Sequence, residues 1–499
     1  MSVINTNVAA LRAQAANVAN STLLSTSMQR LSTGLRINSA QDDAAGLAIT
    51  NRMTAQVNGL NQAVKNANDG LSLVATGEGA LTQTTAVLQR MRELAVQSSN
   101  DTNSAGDRQY LNSEMTQLKA QIDSIASQTN FNGQKILDGS FTNKQLQVGA
   151  NAGETMTMNI NSASSSSIGV YQAKEEALGA LAGTASGMVP SNPVTTAGFT
   201  VKGYIGTSSV NVTSGSDART VASTINGVTS STGVTASAVT FAKIDTLGSA
   251  GNVSFQVIGK NSSAVSVSAN IANSSDLSVL AASFNSASAQ TGITAALSSD
   301  KTSITLKSAD GYDIQLQSFT SDGATKTVNV AGLKADGSTT AGTSQTLTSG
   351  GAEDSTRVVG DLTFASANAF TLAGNTGATS TMDFVSSAAT QASQLSGISS
   401  LDVTTVGKAA TAITVIDGAM SKVSAMNADL GAIGNRLTLT VNALTASSTN
   451  TSAAQSRILD TDYSAETANL SKAQIIAQAS TAMLAQANQQ PQQVLSLLK

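Results

Sequence analysis

A chain of 499 residues is long enough for roughly three or four domains, yet only 12% of it is charged and 3% aromatic, with no Trp, against a usual charged share of about 25%. It contains neither Cys nor His, which excludes thiol nucleophiles, disulfides and imidazole acid–base chemistry and removes the usual zinc ligands. The net charge of −4, with no basic block, argues against a nucleic-acid partner, and cores built from Ala, Val, Leu, Ile and Met favour long helices and small β modules over one large globule.

The N-terminus, Met1-Ser-Val-Ile-Asn-Thr-Asn7 and onward, lacks a basic region followed by an apolar one, so it does not read as a cleavable secretory signal. No apolar run reaches the ~18 residues needed to span a bilayer, so no membrane insertion is expected. Residues 1–165 carry helical periodicity. Ile4, Val8, Leu11, Ala15 and Val18 are spaced 4-3-4-3, and Leu24, Met28, Leu31 and Leu35 are spaced 4-3-4. After a break at 38–46 the stripe resumes through Met53, Val57, Leu60, Val64, Ala67, Leu71 and Val74. It is interrupted at Gly77 and Gly79 and returns at Leu81, Leu88, Met91 and Ala95. Leu111, Met115, Leu118, Ile122 and Ile125 form a further run with coiled-coil spacing. Alternation over Met156-Thr-Met-Asn-Ile160 predicts a strand, with Asp138-Gly139 as a hairpin turn before it.

Residues 166–400 turn to Ser, Thr, Gly, Ala and Val. The stretch around Pro190 and Pro193 reads as a linker. Beyond it lies an internal duplication at a constant offset of 59 residues. Asp217-Ala-Arg-Thr-Val-Ala-Ser-Thr-Ile-Asn226 aligns with Asp276-Leu-Ser-Val-Leu-Ala-Ala-Ser-Phe-Asn285, and Thr232-Gly-Val-Thr-Ala236 with Thr291-Gly-Ile-Thr-Ala295. Each unit predicts a strand, an Asp N-cap, a short helix, a Gly turn and further strands. Such Ser/Thr-rich α+β modules suit a solvent-facing outer region, open to O-glycans.

From 401 onward the helical stripe returns through Ile413, Ile416, Met420 and Val423, then Leu430, Ile433, Leu437, Val441 and Leu444. A polar stretch at 446–456 follows, and a last amphipathic segment runs to Gln490, stopping before Pro491. The two ends are nearly uncharged. Residues 1–35 hold Arg12 and Arg30 alone, and residues 464–499 hold Glu466, Lys472 and Lys499. A helix facing water carries many charges on that face. These helices instead fit an environment where neighbours surround them, and on their own they are weak. Both ends are expected to order by pairing with each other and with copies of the chain.

Chemistry is sparse. Asp42-Asp43 is a vicinal carboxylate pair at a helix break, and it reads as a helix start more readily than as a metal or acid–base site. The Gly77-Glu-Gly-Ala-Leu81 stretch lacks the form and strand context of a dinucleotide loop. No catalytic residue, cofactor or metal is expected, and the methionines read as core filler.

Several segments carry a family resemblance: Val3-Ile-Asn-Thr-Asn7, Arg30-Leu-Ser-Thr-Gly-Leu-Arg-Ile-Asn-Ser-Ala-Gln-Asp-Asp-Ala-Ala-Gly46, Asn66-Ala-Asn-Asp-Gly70 and Leu88-Gln-Arg-Met-Arg-Glu-Leu-Ala-Val-Gln97. At the other end stand Leu430-Gly-Ala-Ile-Gly-Asn-Arg436, Ile458-Leu-Asp-Thr-Asp-Tyr463 and the run from Leu484 to Leu498. In these stretches the chain resembles bacterial flagellins, over about 1–165 and 405–499, while the middle does not match.

The resemblance implies a mainly α fold in which both chain ends form a coiled coil and helical bundle with a β-hairpin, plus inserted α+β and β-rich outer domains. Residues 1–44 and 455–499 would form a terminal coiled-coil core, and 45–175 with 402–454 a helical rod. Residues 176–401 would form a variable outer region of two small domains, with the repeat at about 205–260 and 264–320. It implies a secreted, self-assembling subunit of the extracellular flagellar filament, serving motility and exported unfolded through the flagellar type III apparatus. Its partners would be copies of itself, the cap and hook–filament junction proteins, and an export chaperone on about 460–499. The assembly residues would include Ile4, Val8, Leu11, Val18, Leu31, Leu35, Ile476, Met483, Leu484, Leu495 and Leu498. Leu88, Gln89, Arg90, Leu94 and Glu114 match residues through which some flagellins are recognised by host Toll-like receptor 5. The alternatives are a hook–filament junction protein and a flagellin-like secreted adhesin.

Overall fold

The computed structural model describes residues 6–100, 102–174, 179–183, 186–194, 197–374 and 390–496. Helix α1 (Val8–Thr33) is followed by α2 (Ala44–Ser98) and α3 (Ala105–Gln128). Short strands β1 (Asn130–Phe131) and β2 (Gln134–Lys135) pair with each other, as do β3 (Lys144–Gln147) and β4 (Thr155–Met158). The middle contains β5 (Gly169–Lys174), β6 (Ala180–Ala182), β7 (Ala197–Lys202), β8 (Thr207–Val212), α4 (Ala218–Asn226), α5 (Thr229–Thr232), β9 (Thr235–Asp245), β10 (Gly251–Ile258), β11 (Val265–Ile271), α6 (Ser278–Ser286), α7 (Ser288–Thr291), β12 (Ile293–Leu297) and β13 (Ile304–Ser308). It continues with β14 (Ile314–Ser321), β15 (Thr327–Leu333), β16 (Thr340–Thr348), β17 (Thr356–Val358), β18 (Asp361–Ser366), β19 (Thr371–Gly374), β20 (Thr390–Ala392) and β21 (Gln394–Gly397). Two long helices close the chain, α8 (Val406–Leu459) and α9 (Tyr463–Ser496). This is the mainly helical fold with a β-rich insertion that the sequence predicts.

The chain divides into two compact units. The first comprises residues 1–74, 143–158 and 432–499. Its helices α2 and α8 bury Leu60, Ala63, Ala67, Leu73, Val74 and Leu437. The polar stretch at 446–456, which carries no apolar stripe, is helix. Ser448 donates to Asn61 Oδ1 at 2.9 Å and Gln455 to Thr54 Oγ1 at 2.7 Å. Polar side chains there bond laterally to α2, so an apolar stripe is not required to hold the helix. The β3–β4 hairpin buries Met156 and Met158 on one face. Its connection is residues 148–154, so Asp138-Gly139 is not its turn; that pair makes a separate turn in the other unit, with Ser140 N donating to Asp138 Oδ1 at 2.9 Å.

The second unit comprises residues 75–142 and 159–431. Its helical part packs Leu81, Leu88, Met91, Leu94, Met115, Ile122, Ile136, Leu137, Val415, Ile416 and Val423, all at most 1% exposed. Gly77 and Gly79 do not interrupt α2. A Cβ on Gly77 would lie 3.1 Å from Leu430 Cδ1, so the missing side chain admits the close approach of α8, against the ~1 kcal/mol a helical Gly costs.

The β-rich part holds two cores. One gathers Phe199, Val201, Val210, Val221, Ile225 and Phe364, and the other Phe255, Val257, Val267, Leu280, Phe284 and Phe319. Strand β9 is central. It pairs with β18 through Thr235–Val239, with β13 through Thr240–Ile244 and with β15 through Phe241–Asp245. The duplication is explicit in the structure. Asn226 donates to Ala236 O at 2.9 Å and accepts from Ala236 N at 2.8 Å; Asn285 does the same to Ala295, at 2.8 Å each way. Gly233 and Gly292 end the two helical turns in the left-handed region, at φ +72° and +70°. The copies differ at the helix start. Asp217 caps α4 by accepting from Thr220 N at 2.9 Å, whereas α6 is capped at Leu277 and Asp276 accepts from Ser278 N at 3.0 Å.

Candidate functional site

Helices α1 and α9 run antiparallel, joined at their near ends by a Leu35–Asp460 bridge and by Thr461 N donating to Gly34 O at 3.0 Å. The face of α1 withdrawn from solvent is Asn7, Ala10, Ala13, Asn17, Asn20, Leu24, Ser27, Leu31 and Gly34. On α9 it is Glu466, Leu470, Ala473, Ala477, Ser480, Leu484 and Ala487. Both follow heptad spacing. From the α1 stripes that the periodicity singles out, the seam thus takes Leu24 and Leu31. Val8, Leu11, Val18, Leu23 and Met28 are 46–63% exposed, and Ile475, Ile476 and Met483 are 40–66% exposed. Asn20, Ser27, Glu466 and Ala473, by contrast, are nearly closed to water. Small and polar side chains let the backbones approach, and the larger aliphatics are turned outward.

Among the assembly residues named from the sequence, Val8, Leu11, Val18, Ile476 and Met483 are therefore exposed, while Leu31, Leu35 and Leu484 are half-buried. Ile4 and Leu498 lie outside the described residues, and Leu495 lies in the last turns of α9, where only the backbone is described. The expected stop before Pro491 is not observed, because α9 continues to Ser496. A helical proline leaves the carbonyl four residues earlier without a donor. Here that carbonyl belongs to Ala487, and Asn7 Nδ2 donates to it at 2.8 Å. No sequence pattern flagged Asn7, Asn20, Ser27 or Glu466; the signal was a second heptad line of Asn, Ser and Gly at 20, 27 and 34.

The predicted receptor set divides in two. Leu88 and Leu94 are at most 1% exposed and belong to the core. Gln89, Arg90 and Glu114 are on the surface, and Arg90 bridges α2 to α3 through Glu114 at 2.8 Å while also reaching Glu93 at 3.0 Å.

Of the acidic residues, Asp43 caps α2 by accepting from Gly46 N at 2.8 Å, and Asp42 accepts from Ser39 N at 2.8 Å and Asn38 N at 3.1 Å, which holds its carboxyl below the usual range. The pair is a helix start. Among the described residues no cluster of three acidic side chains could hold a metal ion, and no helix is long and apolar enough to cross a membrane. Two carboxyls in the second unit are pushed up by burial, Asp313 to about 6 beside Arg357 and Asp361 to about 7.

The family pattern for the bacterial flagellin N-terminal helical region matches residues 4–142, and that for the C-terminal helical region matches 413–498. The chain is 40% identical to the B-type flagellin of Pseudomonas aeruginosa, over 99% of each sequence. The protein belongs to the bacterial flagellin family. Flagellin C of Vibrio cholerae is 32% identical over 99% of both chains, and a flagellin of Salmonella choleraesuis is 35% identical over 100% of this chain and 99% of its own. These alignments run through the middle, and the flagellin hook IN motif matches residues 198–247. The expectation that the flagellin likeness stops at the two ends is therefore corrected. The motif covers β7, β8, α4, α5 and β9, the first copy of the duplication. The strands and helices of this module were legible, but its composition resembles any Ser/Thr-rich insertion, so its kinship was not.

Proposed function

We propose that this flagellin is a non-catalytic filament subunit that polymerises with copies of itself through α1 and α9. The observation that carries the reading is the inverted pair: small and polar side chains face the partner helix while Val8, Leu11, Val18, Ile475 and Met483 face out. Covering one such aliphatic side chain is worth about 1.5–3 kcal/mol. A helix pair that exposes a row of them gains its stability from neighbours, and copies of the same chain are the neighbours that family membership supports. The residue roles named from the sequence and the division into a terminal core, a rod and an outer region at 176–401 belong to this reading.

Uncleaved export of the unfolded chain, a chaperone on the C-terminal segment, and placement in the extracellular flagellum under the cap and beyond the junction proteins follow from the same family reading. A chain without Cys has no disulfide to form before export. Recognition by Toll-like receptor 5 would use the surface of Gln89, Arg90 and Glu114, with Leu88 and Leu94 supporting it from below.

Seeded polymerisation followed by electron microscopy tests the assembly reading. The full chain is expected to give long filaments and a variant lacking residues 1–35 none. Filaments from the truncated chain, or none from the full one, would sink it.

A further inference from the structure

The seam between α1 and α9 poses a problem of register. Its large apolar members on α1 are Leu24 and Leu31, and on α9 Leu470 and Leu484; the rest are Ala, Asn, Ser, Gly and Glu. A slip of one heptad, about 10 Å along the axis at 1.5 Å per residue, would still place small residues against small residues. Packing alone therefore distinguishes registers weakly, and charge adds little: Arg30 stands 3.8 Å from Glu466, a loose pair.

Directional hydrogen bonds do distinguish them. Asn20, 5% exposed, donates through Nδ2 to Ala473 O at 2.8 Å. Asn7 accepts from Ala10 N through Oδ1 at 3.0 Å, capping α1, and donates through Nδ2 to Ala487 O at 2.8 Å. The carbonyl of Ala487 is the one left open by the missing N–H of Pro491. A one-heptad slip would carry Asn20 to Glu466 or Ser480 and Asn7 away from the carbonyl that Pro491 leaves without a helical donor.

We infer that, beyond the backbone contacts of Gly34 with Thr461 and Leu35 with Asp460 that join the near ends, Asn7 and Asn20 are the side chains that hold the register of α1 against α9 along the seam, and that Pro491 keeps the Ala487 carbonyl free so that Asn7 can take it. A buried Asn in a coiled-coil seam fixes alignment at some cost in stability. For Asn20 this is sharp, since Ala473 O also has a helical donor four residues on. Asn20→Ala therefore removes the alignment signal without orphaning a backbone group. Asn7→Ser differs: it keeps a capping oxygen but leaves Ala487 O without a donor, and Pro491→Ala restores one from within α9.

The inference rests on the pairing of α1 with α9 that the assembly reading uses, and it is read by distance rather than by polymer yield. Because the chain has no Cys, spin labels placed at Ser25→Cys and Gln486→Cys, both exposed, report one pair. Pulsed electron resonance on filaments diluted with unlabelled chain should give one narrow distance. Asn20→Ala should broaden the peak, with populations displaced by up to about 10 Å. Asn7→Ser should broaden the peak in the native background and much less beside Pro491→Ala. An unchanged single peak in both asparagine variants would overturn the inference, as would a broad distribution in the unsubstituted chain. If the chain failed to form filaments yet held the narrow distance and its dependence on both asparagines, the assembly reading would fall and the register assignment would stand.

Discussion

Arg90 and Leu88 are two residues apart on α2 and offer opposite tests of the receptor surface. The side chain of Arg90 is 51% exposed and its partner Glu114 43%, and an ion pair so wet contributes little to stability. Arg90→Ala should leave the melting temperature almost unchanged while lowering Toll-like receptor 5 signalling by tenfold or more in a cell reporter assay; full signalling would remove Arg90 from the surface. Leu88 is fully buried, so Leu88→Ala should cost about 2–5 kcal/mol in the helical core, and any loss of signalling would follow from unfolding.

The buried acids give a second prediction at this scale. Asp361 is raised to about 7 because burial outweighs the hydrogen bond it accepts from Ala335 N, with Lys334 and Lys174 lowering it and Asp336 raising it. The folded state then holds this proton more tightly than the unfolded chain, whose carboxyl titrates near 3.8. The stabilisation is complete below that value and is lost as pH rises from about 4 to 7. Asp313, raised to about 6, acts in the same sense. The carboxyls held low, such as Asp300 at about 2, gain their contribution below pH 4 and do not oppose it in this window. Calorimetry should show the transition of the second unit falling by a few °C between pH 5 and pH 8, with Asp361→Asn flattening the slope. A transition that rises across that range would contradict the assignment.

At the scale of elements, the positions of the helices were legible and their limits and faces less so. The apolar period located α1, α2, α3, α8 and α9. Gly77 and Gly79 looked like an interruption because local propensity was the information available, whereas Leu430 against Gly77 is a tertiary contact that overrides it. The composition of the seam was not legible. Apolar spacing marks Leu24 and Leu31, which lie in it, together with Val8, Leu11, Val18 and Met28, which are exposed in the single chain. The repeat was legible because its signal is chemical: Asn226 and Asn285 each clamp a strand residue ten positions on, and a Gly in the left-handed region ends each helical turn. The residues of the proposed receptor surface come only from the family resemblance, which identifies residues and not their exposure. Leu88 fell on the core side, as the spacing predicts, and Leu94, which the stripe does not include, is buried beside it.

At the scale of the whole molecule, the question is whether the inserted region is needed for assembly. The aliphatics turned outward on α1 and α9 lie outside it, and most of its own apolar side chains are buried in two internal cores, around Phe199 and Phe364 and around Phe255, Phe284 and Phe319, with Met188, Tyr204, Ile205 and Val279 left at its surface. Polymerisation that depends on the exposed aliphatics should therefore survive its removal. The junction matters, because β5 pairs with β21, Gly169 opposite Gly397 and Gln172 opposite Gln394. A deletion running to 401 would strip β5 of that partner, whereas deleting residues 176–392 and closing the gap with a short Gly/Ser link keeps the pairing. The shortened chain is expected to form filaments with seeds at a rate within a few-fold of the full chain, and its filaments should be thinner in electron micrographs. If it remains monomeric while circular dichroism shows its helices intact, the inserted modules supply contacts between copies, and the outward aliphatics of α1 and α9 are not sufficient to drive assembly.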